Sequence, residues 1–346
     1  MWLLSTDRAE LHFFTSPDAI DGGYVILSHT WDENESTFQD VRGLKERCQL
    51  SGENPLDLVS SKIRQCCVVA ARDGFRWVWI DTCCIDKTSS TELSEAINSM
   101  FRWYAESEVC YAFLADVPVG DVANASGSAF RRARWHKRGW TLQELIAPIH
   151  VVFLSRDWTR IGNKTTLTTL LEEITSVPAQ VLTREVHFHD LSIAERMSWA
   201  SMRVTTRAED EAYCLMGLFN VNMPTIYGEG QQAFRRLQEE IMKQSIDSSL
   251  FVWGDPDGFH DHVSTVPFAE FYETFNSSVK HIYLLAPSPR DFHGRFREMP
   301  VQFTPNATSP LQPYLPHQWT TEYVSAYAAP ARSILLTITC SGVPRH

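Results

Sequence analysis

No run of apolar residues in this chain approaches the roughly 20 needed to span a bilayer, so no membrane span is expected. No secretory leader is expected either: Met1-Trp2-Leu3-Leu4-Ser5-Thr6-Asp7-Arg8 is too short an apolar run and is wrongly charged. There is no positive excess either. A net charge of -11 excludes a general nucleic-acid binder. One basic stretch, Arg131-Arg132-Ala133-Arg134-Trp135-His136-Lys137-Arg138, reads as a solvated loop or as a contact for nucleotide phosphates or an acidic partner. Cysteines are present without metal-finger spacing. The adjacent pairs Cys66-Cys67 and Cys83-Cys84 fit a reduced, cytoplasmic chain. His187-Phe188-His189-Asp190 has two histidines at i and i+2 with no further ligand cluster, so no metal is expected. Gly228-Glu229-Gly230 lacks the lysine and the preceding strand of a phosphate loop.

What is present is a globular composition of 346 residues, with 11 Trp that call for broad burial or a contact surface. Four short apolar runs, at 24–28, 77–81, 109–114 and 149–154, read as buried strands. Between the first two, Val59, Ile63, Cys66, Cys67 and Ala70 recur at helical spacing before the stop Asp73-Gly74. Leu93, Ile97, Met100 and Tyr104 make a second stripe between the next two. Alternation of strand and helix predicts an α/β fold with a parallel sheet flanked by helices. From about 191 the pattern turns helical, ending at 229–244, where Ala233, Phe234, Leu237 and Ile241 share a face. The expected organisation is therefore an α/β core over 1–190, a helical extension over 191–250, and a small, partial C-terminal module or poorly ordered tail over 251–346.

Three strings resemble the successive signature blocks of the fungal heterokaryon-incompatibility (HET) domain. They are Tyr24-Val25-Ile26-Leu27-Ser28-His29-Thr30-Trp31, Trp79-Ile80-Asp81-Thr82-Cys83-Cys84-Ile85-Asp86-Lys87, and Arg138-Gly139-Trp140-Thr141-Leu142-Gln143-Glu144-Leu145. Thr205 to Asp210, Ala212 to Gly217 and Tyr227 to Gly230 are similar to the region that follows them. The resemblance runs in order over about 1–250. It implies a role in non-self recognition and programmed cell death on hyphal fusion, with self-association or other incompatibility signalling proteins as partners.

HET domains also look like distant relatives of TIR domains of innate immunity, which implies a flavodoxin-like sheet. Many TIR domains cleave NAD with a glutamate in an E-L-x-x-A-I pattern, and Glu92-Leu93-Ser94-Glu95-Ala96-Ile97 is similar to it. Trp140-Thr141-Leu142-Gln143-Glu144-Leu145 resembles the W-C-x-x-E-L string of plant TIR domains, with Thr in place of Cys. The resemblance thus implies NAD as a substrate, with no bound cofactor, and Glu92 as the catalytic carboxylate of an NAD nucleosidase.

Cleaving the nicotinamide-ribose bond builds positive charge on the ribose, and a carboxylate facing that charge stabilises the transition state. Glu92 has a second reading, as the N3 residue of a capping box that starts at Ser89. Glu95, one turn further along the helix, is the alternative carboxylate. Ser28, His29 and Trp31 after the first strand, and Asp81 at the end of the second, are candidates for lining a nucleotide pocket, because open α/β sheets hold ligands at their carboxyl ends. Core packing and turn capping are their ordinary alternatives. Cys83 or Cys84 with His29 is a rival nucleophile pair for a Cys-dependent hydrolase. A non-catalytic adaptor that signals by self-association is the rival from another class.

Overall fold

The computed structural model describes residues 1–32, 35–251, 253 and 285–293, together with the backbone of two strands near the C-terminus. The four apolar runs become four parallel strands: β3 (Val25–His29), β4 (Trp77–Ile80), β5 (Val109–Phe113) and β6 (Val151–Leu154). They are preceded by β1 (Trp2–Ser5) and β2 (Leu11–Phe13), and followed by β7 (Arg160–Asn163). The sheet order is β2-β1-β4-β3-β5-β6-β7. β3 pairs with β4 on one side, Val25 opposite Val78, and with β5 on the other, Val25 opposite Val109.

The sheet is mixed, which corrects the expectation of a purely parallel one. β1, β2 and β7 join antiparallel at the two edges. Their sequences explain why they escape a pattern search. β2 has three residues, and β7 is exposed at both ends, half-buried at Ile161 and Gly162, and has no apolar run.

The helices follow in chain order. α1 (Phe38–Ser51) opens on a Thr37–Asp40 capping box and closes on Gly52, whose φ of 77° is left-handed. Only Phe38, Val41 and Cys48 of it are buried, too thin a stripe to show as a periodic signal. α2 (Ser61–Arg72) and α3 (Ser90–Ala105) carry the two stripes read from the sequence: Ile63, Cys66, Cys67 and Ala70 are buried on α2, and Ile97, Met100 and Tyr104 on α3. Two short helices, α4 (Ala129–Arg132) and α5 (Thr141–Ile146), lie between β5 and β6. α6 (Thr168–Thr175), α7 (Ala179–Leu182), α8 (Ile193–Ser198), α9 (Asp210–Tyr213) and α10 (Gln232–Gln244) complete the set.

Trp79 on β4 is fully buried and meets Trp103 and Tyr104 of α3 edge-on, at ring separations of 5.7 and 5.9 Å. Tyr24 anchors the start of β3 to α3 by donating its hydroxyl to the Trp103 carbonyl. Burial of such rings dominates the core energy, each worth about 1.5–3 kcal/mol or more.

The segment after 190 is bonded to the third sequence block. Gly139 N–H donates to the Val204 carbonyl at 2.8 Å, and Val204 N–H donates to the Lys137 carbonyl at 2.7 Å. The approach is close enough that a Cβ on Gly139 would lie 2.5 Å from Thr205 Cγ2, which accounts for glycine there. Glu209 accepts from the backbone N–H groups of Gly228 and Gly230 at 2.7 and 3.0 Å, so the Gly-Glu-Gly turn is a carboxylate-capped turn.

Residues 1–293 form one compact unit and 294–346 a second. In the second, β8 (Val324–Ala329) and β9 (Ser333–Ile338) pair antiparallel, Val324 opposite Ile338. Most of the expected C-terminal module over 251–346 lies outside the described residues. Among the described residues, no helix is long and apolar enough to cross a membrane.

Candidate functional site

In an open parallel sheet the crevice forms beyond the carboxyl ends of the strands, where the chain's crossovers turn to opposite sides. Here that point lies between β3 and β5, since the chain leaves β3 for β4 on one flank and returns to β5 on the other. A cleft of about 370 Å³ opens there, lined by Asp32, Glu35, Lys62, Phe113, Arg156 and Trp158 among others. Trp158, held at a φ of 62°, stacks on Phe113 with ring centroids 4.5 Å apart.

Two of the pocket candidates start this edge. Ser28 is fully buried; its hydroxyl donates to Glu144 Oε2 and accepts from Trp135 Nε1 at 2.6 Å. Glu144, on α5, is 6% exposed. Burial, reinforced by the negative charge of Asp81, pushes its carboxyl up to about 7, against the pull of Ser28, Arg138 and Tyr104. A carboxyl poised near neutrality at the carboxyl end of a parallel sheet is a functional-site signal with a physical cause.

His29 is buried beside Glu35 and Asp81, its Nε2 3.6 Å from Glu35 Oε1 and its Nδ1 3.8 Å from Asp81 Oδ1. Both separations exceed hydrogen-bond reach, and both ring nitrogens have no hydrogen-bond partner. Burial opposes ionisation of Glu35, but His29, Lys62 and the Asp32 N–H outweigh it and hold the carboxyl at about 2. Lys62 binds this carboxylate, and also Asp32 at 2.8 Å. Trp31, 44% exposed, donates Nε1 to Asp81 Oδ2 at 2.8 Å. The structure therefore brings Ser28, His29, Trp31 and Asp81 to one edge.

Glu92 and Glu95 stand apart from that group in their contacts. Ser89 Oγ accepts from the Glu92 N–H at 3.3 Å, and Glu92 Oε1 accepts from the Asp86 N–H at 3.1 Å. Glu92 therefore makes half of the expected capping box and spends its side chain on the loop before α3. Glu95 is exposed on the same helix, and both carboxylates act on the Met1 amino group.

Cys83 and Cys84 are buried in the turn after β4, where they contact the Val78 and Ile80 backbone. Burial pushes the Cys83 thiol well above its ordinary range, which keeps it protonated and a poor nucleophile. Among the described residues, neither thiol is hydrogen-bonded to His29.

The remaining motifs have structural partners. Arg131 pairs with Glu173 at 2.8 Å, and Arg134 with Asp116 at 3.7 Å. Burial drops the imidazole of His136 to about 3. His187 and His189 stack in a 3-10 turn at 5.0 Å, and among the described residues no cluster of ligands could hold a metal.

Sequence reasoning passed over Glu144 and Glu35. Glu144 was already visible in the string Trp140 to Leu145, flanked by the apolar residues Leu142, Leu145 and Ile146, all of them buried. Glu35 carries no pattern; only the fold reveals it.

The first two sequence blocks fall within a family match. Residues 24–123 match the heterokaryon incompatibility protein (HET) family, and residues 232–326 match a domain of unknown function, DUF8212. The chain is similar to the vegetative incompatibility protein HET-E-1 of Podospora anserina, at 46% identity over 228 residues. That alignment covers 64% of this chain and 16% of the relative, so the chain spans a small part of that protein's length. No solved structure matches the chain. The match over 24–123 shows that this chain carries a HET domain.

Proposed function

We propose that the chain is an effector in fungal vegetative incompatibility and regulated cell death, and that its HET domain acts by cleaving the nicotinamide-ribose bond of NAD. The order of its four parallel strands, second-first-third-fourth, is that of flavodoxin-like sheets, which supports the TIR-like reading. The observation that carries the chemistry is the Glu144 carboxyl, buried beneath Ser28 at the strand-order reversal, with its pKa lifted to about 7. Nicotinamide departs as a neutral molecule from a cationic ring, so no strong acid is required. A carboxylate facing the developing oxocarbenium charge in a dry cleft suffices. Phe113 and Trp158 offer an aromatic wall for a base, and Asp32, Glu35 and Lys62 line the same cleft.

Release of nicotinamide from NAD by the purified, concentrated protein tests the proposal. Glu144→Gln should abolish release, and Glu92→Ala, run alongside, reports whether the first helical turn contributes. No release by wild type at any protein concentration would sink the enzyme reading. One observation favours the second reading, a non-catalytic adaptor signalling by self-association: Ser28 and Trp135 cover Glu144, leaving it 6% exposed. On that reading wild type and Glu144→Gln would signal equally. The fungal context and a cytoplasmic location belong to the same proposal.

A further inference from the structure

Trp31 is the contact point of two cations. Lys87 Nζ lies 3.9 Å from the centre of its ring, and the Arg138 guanidinium carbon 5.3 Å. The three residues come from three different sequence blocks, so the fold, and not chain proximity, assembles them. Cations favour an indole face, yet two cations on one ring repel each other, and such a pair is held at a cost unless a negative group joins it.

Among the described residues, no carboxylate forms an ion pair with either cation. The carboxylates that act on Lys87 are Asp81 and Glu35, and each is committed elsewhere: Asp81 accepts from Trp31 Nε1, and Glu35 is bound to Lys62. Arg138 acts on Glu144 and Asp210 through charge alone, without a bond to either. Its carbonyl, by contrast, is fixed by Arg203 and Thr141 at 2.9 Å each, so the backbone that carries the guanidinium is anchored. Asp81 performs the same service for Trp31. Two uncommitted cations on an anchored aromatic platform, in a chain of net charge -11, form a local site for an anion.

We propose that Lys87, Arg138 and Trp31 form a diphosphate subsite beside Asp81 at the sheet edge, taking the pyrophosphate of a nucleotide. Arg138 supplies the planar fork that matches phosphate oxygens, Lys87 the point charge, and the exposed part of the Trp31 ring a surface for an adjoining ribose or base. This deepens the NAD reading above and rests on it for the identity of the nucleotide.

The test is calorimetric titration of the full chain with inorganic pyrophosphate and with ADP-ribose, at low and high salt. Both should bind, with affinity falling as salt rises. Lys87→Met and Arg138→Gln should each weaken both ligands about tenfold, with unchanged thermal unfolding, since neither charged head makes a hydrogen bond among the described residues. Failure of wild type to bind either ligand, or wild-type affinity in both variants, overturns the subsite. Nicotinamide release is measured separately on the same samples. Release with unaltered ligand binding in the variants overturns the subsite and leaves the enzyme reading. Binding that the variants lose, without any release from NAD, sustains the subsite while the enzyme reading fails.

Discussion

Ser28 and Glu144, 116 residues apart in sequence, share a buried hydrogen bond in which the Ser28 hydroxyl donates to the carboxyl while accepting from Trp135. Ser28→Ala removes the donor and leaves the Trp135 N–H and the carboxyl without this partner. The expected cost is about 1–3 kcal/mol of stability, and the Glu144 pKa should rise further, because the bond that favours its ionised form is gone. Chemical denaturation and carbon-detected NMR titration of the carboxyl check both.

Stability should depend on the Glu144 proton with a definite sign. Its folded pKa of about 7 lies above the ordinary carboxylate value, so between roughly pH 4.5 and 7 the folded state binds a proton that the unfolded chain has lost. This contribution is therefore full below the unfolded pKa and is lost as pH rises through 7, on the order of 3 kcal/mol in all. Glu35 runs the other way: held at about 2, its contribution is present above the ordinary carboxylate pKa and disappears as pH falls toward 2. Thermal melts from pH 4.5 to 8 should show wild type losing stability between about pH 4.5 and 7 relative to Glu144→Gln, with parallel curves above 7. A wild type whose stability changes over that span to the same extent as the variant's would contradict the assignment.

The two tryptophans of the first and second blocks should part company. Trp79→Ala excavates the contact with Trp103 and Tyr104 and should cost about 3–5 kcal/mol. Trp31→Ala, on a half-exposed ring, should change stability by less than about 1 kcal/mol while weakening ADP-ribose binding more than pyrophosphate binding. Equilibrium denaturation of the pair decides.

Gly217 packs directly on α3: a Cβ there would lie 2.1 Å from Phe101 Cβ. Gly217→Ala should destabilise by about 1–3 kcal/mol through overpacking. Phe101→Ala should relieve part of this in the double variant, giving a measurable coupling energy.

Seven cysteines, Cys48, Cys66, Cys67, Cys83, Cys84, Cys110 and Cys214, are free and buried. Mass spectrometry after brief native alkylation should find none of the seven modified, and all seven modified in denaturant. Rapid native labelling of Cys83 or Cys84 would revive the thiol-nucleophile reading that their burial argues against.

The central sheet was legible because its four strands are near-continuous apolar runs, and α2 and α3 because their buried faces repeat at helical spacing. The antiparallel edges were not, since β2 and β7 are short and only partly buried, and edge strands need no apolar run. Within the site, Ser28, His29, Trp31 and Asp81 could be placed at the carboxyl edge from strand ends alone. The pairing of Ser28 with Glu144 and of His29 with Glu35 depends on how α5 and the loop after β3 fold back, which no local pattern encodes. Glu92 shows the converse: a recognisable string whose side chain, in the fold, bonds the Asp86 N–H.

The span between Ser28 and Glu144 also sets an order of events during synthesis. At roughly 5–20 residues per second a ribosome needs on the order of ten seconds to extend the chain by 116 residues. For that interval β3 has emerged without the carboxyl it will bond, and its neighbours arrive one at a time on alternate flanks. A nascent HET core is thus unable to assemble its edge until α5 is made, and a ribosome stalled before that helix holds a sheet with no Glu144 in it.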